Sequence, residues 1–112
     1  MTRPNEGPRT KDQIILFSKM TVNAGQRKEF SKHLLDGMEK IKTDEPGTLS
    51  IVLIEDEANP DVLYVMERFK DQAAVEEHMN ASAKVRDLFA GYIKQREGGF
   101  MREVTGFVSK DD

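Results

Sequence analysis

The chain has no cysteine and no tryptophan, and only two histidines and four prolines among its 112 residues. Without cysteine there is no disulfide, no thiolate nucleophile and no thiolate metal site. Without tryptophan, intrinsic fluorescence is left to tyrosine. Long apolar runs are missing too: none approaches the roughly 20 residues that cross a bilayer. Nor is there a basic excess. Seventeen Lys and Arg against 20 Asp and Glu leave a formal charge of −3, which offers little to nucleic acid or anionic lipid. No glycine-rich phosphate loop, serine-nucleophile elbow or nucleotide motif is present. Residues 1–12 hold Pro, Gly and charge but no apolar core, so a cleaved secretory signal is not expected and a flexible arm is. These absences point to a cytoplasmic protein with neither a membrane nor a nucleic acid as partner.

What is there suits one soluble domain: 38% hydrophobic and 33% charged residues. The domain is expected over residues 13–109, followed by a frayed tail at 110–112. Residues 13–22 read as a strand, and the contiguous apolar run Ile14, Ile15, Leu16 and Phe17 marks it as buried on two faces. Asn23 is placed to cap a helix over 24–43 that tolerates Gly25 in its first turn. Phe30, Leu34, Met38 and Ile41 form its apolar stripe. Pro46 and Gly47 end that helix. Residues 48–55 and 62–69 read as a hairpin around Asn59, Pro60 and Asp61. Asp71 caps a short helix to Met79. After a break near 80–82, Val85, Leu88, Phe89, Tyr92 and Ile93 continue a second helical segment, stopped by Gly98 and Gly99. A last strand is expected over 101–109.

The order βαββαβ is most simply satisfied by an α+β, ferredoxin-like fold. It has a four-stranded antiparallel sheet in the order 4-1-3-2, with the helices on one face. Strand parity then turns Ile15, Phe17, Tyr64 and Met66 to the uncovered face. Soluble monomers avoid such an apolar patch, so a homodimer through the sheet face is expected.

Three features carry a resemblance: Glu45-Pro46-Gly47-Thr48 leading into the second strand, Glu67-x-Phe69 at the end of the third, and the helix ending in Glu77-His78. In this order the chain resembles the antibiotic biosynthesis monooxygenase family of the dimeric α/β-barrel superfamily, over residues 13–109. The resemblance implies a cofactor-independent monooxygenase of secondary metabolism. Such a protein oxidises a small aromatic phenol, anthrone or hydroquinone with dioxygen, with neither metal nor flavin. An electron-rich phenolate can pass an electron to dioxygen directly, so the protein need only bind, deprotonate and exclude water. The same fold also hosts cyclases, isomerases and lyases on polyketide-like substrates, and small-molecule-binding dimers without chemistry.

Among the residues, His78 is the candidate base, because imidazole titrates nearest neutral pH; the competing reading is a histidine packed at a helix end. Glu67 lies on the helix side of the sheet and needs a partner if buried. Lys19 and Lys32 are the candidate cations, although parity puts Lys19 on the other face. Met38, Glu67, Phe69, Phe89 and Tyr92 are the candidate pocket residues, with the Tyr92 hydroxyl able to reach the cavity. Haem-degrading relatives use an asparagine near the position of Ser18 and a tryptophan at that of Phe69, so haem degradation is not expected. His33 reads as a boundary residue, and no convincing metal-ligand spacing exists.

Overall fold

From its second residue on, β1 (Ile14–Val22) alternates strictly: Leu16, Ser18, Met20 and Val22 are buried, while Ile15, Phe17, Lys19 and Thr21 are only partly covered. That period of two fixes the faces of the whole sheet. The computed structural model describes residues 13–103. Within them β1 is followed by α1 (Arg27–Asp44), β2 (Thr48–Glu55), β3 (Val62–Phe69), α2 (Gln72–Ala81), α3 (Ala83–Ala90) and β4 (Ile93–Met101). The sheet order is β2-β3-β1-β4, with every pairing antiparallel. This is the ferredoxin-like arrangement expected, with β1 and β3 central. The arm expected at 1–12 and the tail at 110–112 lie outside the described residues. No helix among the described residues is long and apolar enough to cross a membrane.

Two buried clusters lie between sheet and helices. Met20, Val22, Phe30, Leu63 and Val65 form one; Leu16, Phe69, Ala74 and Val75 form the other. Phe30, fully buried, meets Phe89 edge-on at 5.4 Å, a pairing worth about 0.5–1.5 kcal/mol beyond its area. On the opposite sheet face Phe17 packs against Tyr64 at 5.9 Å, while Val52, Ile54 and Met101 stay 42%, 43% and 50% exposed.

Three boundaries differ from expectation. The first helix starts at Arg27, because Gly25 adopts φ 78° in a turn preceding it, a left-handed conformation that glycine alone takes at little cost. Asn23 does not cap α1; its amide donates to the Gly91 carbonyl at 3.0 Å and ties down the α3–β4 turn. The last helix stops at Ala90, and the last strand runs over Ile93–Met101 instead of 101–109. Tyr92 and Ile93 continue the helical spacing, yet Gly91 and Tyr92 close the turn through bonds to Leu88 and Phe89, and Ile93 pairs with Val22. Gly98 and Gly99 therefore lie inside β4. Gly98, at φ 136°, sits where a Cβ would strike the Phe17 carbonyl oxygen, so the glycine serves close strand contact rather than helix termination. Residues 104–109 of the expected strand fall outside the described residues.

Candidate functional site

Pro46 disfavours helical geometry at the residue before it. Glu45, the C-cap of α1, accordingly takes φ −123° and ψ 83°, and the residue is buried at 7% exposure. Gly47 lets α2 come close: a Cβ there would lie 2.5 Å from the Ala74 Cβ. On α2 itself, Asp71 caps the helix by accepting from the Ala74 amide at 2.9 Å, as expected. His78 follows Ala74 by four residues and so shares its face.

The result is a buried cluster. His78 is 6% exposed, with Nδ1 at 2.7 Å from Glu45 Oε1 and Nε2 at 3.0 Å from Glu67 Oε1. Thr48 Oγ1 donates to the same Glu45 oxygen at 3.2 Å. The Phe69 ring leans on the imidazole at 5.3 Å. Burial by itself would lower the His78 pKa. The hydrogen bonds and charges of Glu67 and Glu45 outweigh it and hold the pKa above the usual 6.5. The protonated ring can donate from both nitrogens, one to each carboxylate, whereas a neutral ring would leave one carboxylate facing a lone pair. The three groups do not converge on a common point, since the ring stands between the acids. Among the described residues no group of acids and histidines could hold a metal ion.

Above the cluster a cavity of about 560 Å³ lies between the inner sheet face and the helices, within the size range of small-molecule sites. Leu34, Met38 and Ile41 from α1, Val85 and Phe89 from α3, and Leu16, Met20 and Val65 from the sheet give it apolar walls, with Glu67, Glu45 and His78 in its lining. Of the candidate site residues, the structure thus brings Met38, Glu67, Phe89 and His78 to one cavity. Phe69 and Tyr92 are not in its lining. Phe69 is fully buried behind His78, and the Tyr92 hydroxyl turns away to Glu29 Oε1 at 3.3 Å while its ring packs on Phe30 and His33. The partner of Glu67 is neither Lys19 nor Lys32 but His78. Glu45 escaped the sequence reading, although the glutamate before Pro46 belongs to the motif that leads into β2; helix-end acids are usually solvated, and only the fold shows this one buried.

Comparison with known proteins places this geometry in context. The model of the antibiotic biosynthesis monooxygenase family matches residues 13–90. No curated protein matches the chain. Among solved structures, a mutant of SnoaB from Streptomyces nogalater, a cofactor-independent oxygenase, superposes with a TM-score of 0.77 at 12% identity, covering 88% of this chain and 99% of that one. A candidate antibiotic biosynthesis monooxygenase from Caulobacter crescentus gives 0.76 at 20% identity, covering 85% and 92%. A Pseudomonas aeruginosa protein gives 0.73 at 19% identity, covering 88% and 100%. At these identities the likeness establishes the shared fold.

Proposed function

The chain belongs to the antibiotic biosynthesis monooxygenase family, and from that membership we propose that it is a cofactor-independent monooxygenase acting on a small phenol, hydroquinone or anthrone. The observation that carries this reading is the pairing of an apolar cavity with an ionisable carboxylate, Glu67, in its lining. Both ring nitrogens of His78 are already engaged, so the proton acceptor is Glu67, and His78 is the positioning residue that holds it. Glu45 in turn fixes His78 from the other side.

In this mechanism Glu67 takes the phenolic or enolic proton, and the resulting anion gives one electron to dioxygen. Superoxide and the substrate radical recombine to a carbon-bound peroxide anion, which takes the proton back from Glu67 to become the hydroperoxide and so restores the carboxylate. Loss of water, with the remaining hydrogen of that carbon, leaves a carbonyl. The net change is a methylene plus dioxygen to a carbonyl plus water, with all four electrons supplied by the substrate, so no external reductant is needed. The apolar walls supply orientation and water exclusion. The open outer sheet face, with Ile15, Phe17, Val52, Ile54, Tyr64 and Met66, supports a homodimer formed through it.

Oxygen uptake with an anthrone or a reduced naphthoquinone tests the reading. Wild type should consume one dioxygen per product, and Glu67→Gln should cut turnover by about 10²–10⁴-fold, as for removal of a general base. Product formed equally well without air would refute the oxygenase and select an isomerase or cyclase. A Glu67→Gln variant with wild-type turnover would remove the carboxylate from the mechanism.

A further inference from the structure

The cavity is electrically lopsided. The Glu45–His78–Glu67 cluster is acidic, and Asp44 and Glu77 outnumber Lys40 where α1 and α2 reach the lining. On the α3 and β4 side the lining has two guanidiniums, Arg86 and Arg96, and no acid. Elsewhere, Arg27 bonds Glu55 at 3.0 Å and Arg68 contacts Glu103 at 3.5 Å. Arg86 and Arg96 have no carboxylate partner among the described residues. Each is tethered instead by a serine hydroxyl: Arg86 Nη1 donates to Ser82 Oγ at 2.6 Å, and Arg96 Nη2 to Ser18 Oγ at 3.1 Å. Ser18 is itself only 3% exposed, on the inner face of β1. A hydroxyl leaves the guanidinium charge uncompensated while fixing its direction, and a planar guanidinium is suited to grip a carboxylate through two parallel hydrogen bonds.

Register supplies a distance. Leu16 pairs with Glu67, and Ser18 is two residues along the same strand face, so Ser18 and Glu67 are diagonal neighbours about 7–8 Å apart. Gly98 stands opposite Ser18 and puts no side chain over it. Resting on the proposed role of Glu67, we infer that the substrate is an aromatic acid: its phenolic hydroxyl meets Glu67, and its carboxylate, about two fused rings away, is held by Arg96 with Arg86 beside it. The arginines then set specificity and orientation, and the acidic rim of α1 and α2 disfavours the reversed pose.

Two probes separate this from solvated surface arginines: 6-hydroxy-2-naphthoate and its uncharged carboxamide. With dioxygen excluded neither can be oxidised, so calorimetry on the full-length protein under nitrogen, at pH 7 and low salt, reads the anchor independently of dioxygen chemistry. The acid should bind at least about 10-fold more tightly than the amide, as expected for hydrogen bonds to a charged group. Raising salt should narrow that gap, Arg96→Gln should close most of it, and Arg96→Lys should keep part of it. Should Arg96→Gln not fold, Arg86→Gln and the salt titration of the wild type read the same gap. Equal affinities, a gap unchanged by salt and by these variants, or no binding of either probe would overturn the inference. Acid preference without oxygen uptake on any hydroquinone would instead sink the oxygenase reading and leave the anion anchor standing.

Discussion

Protonation of His78 should be visible as a pH dependence of stability. Its folded pKa lies above the ordinary 6.5, because the carboxylates of Glu67 and Glu45 more than offset the effect of burial. The folded state therefore binds this proton more tightly than the unfolded chain. The stabilisation is fully present below about pH 6.5 and is lost as pH rises through the folded pKa. Within that window one proton contributes a slope of at most about 1.4 kcal/mol per pH unit. For a domain of this size 1 kcal/mol moves Tm by about 4 °C, so the melting temperature should fall as pH rises, by no more than about 6 °C per pH unit. His78→Gln keeps an amide donor but cannot titrate. Since it removes the cation between two buried acids, it should cost about 3 kcal/mol at pH 6.5, near the low end for breaking a buried pair. Its melting temperature should then be nearly flat over the same window. His33→Gln is the control: His33 packs against Tyr92 and has no carboxylate partner among the described residues, so this variant should keep the wild-type slope. Differential scanning calorimetry at fixed ionic strength from pH 6 to 9 checks all three proteins. A wild-type Tm that does not fall above pH 6.5, or a slope that survives in His78→Gln, would refute the charged-histidine cluster.

Two further outcomes can be measured directly. Light scattering should give twice the 12.7 kDa chain mass, and Met66→Glu, which puts a charge on the open sheet face, should shift the protein toward monomer; a wild-type monomer would refute the dimer. Gly98→Ala should destabilise by more than the 1–3 kcal/mol of ordinary overpacking, because the added methyl meets the Phe17 carbonyl and φ 136° is strained for alanine; an unchanged denaturation midpoint would contradict the tight β1–β4 contact.

Period-two alternation in β1 and β3 and the stripe of Phe30, Leu34, Met38 and Ile41 in α1 are local properties, legible because each residue's face follows from its own position along the chain. They determined the fold class, the strand order and the apolar walls of the cavity. The end of α3 was not legible in the same way. Val85, Phe89, Tyr92 and Ile93 satisfy the helical period, while Ile93 equally satisfies the parity of a strand. Pairing with Val22 decided between them, and a single window cannot see the partner strand. The candidate site divides along the same line. That His78 and Glu67 turn inward could be read from spacing and parity, and so could the need of a buried acid for a partner. Which partner it found depended on groups 11 and 33 positions from His78 in the chain meeting within 3.0 Å, which only the closed fold arranges. Glu45 became part of the site because Pro46 fixed its backbone and Gly47 admitted α2 beside it, and burial then made its charge matter. Sequence by itself determined which side chains could ionise and which faces were apolar. Tertiary structure decided which ionisable groups lost their water together, because desolvation belongs to the assembled surroundings and not to any residue alone.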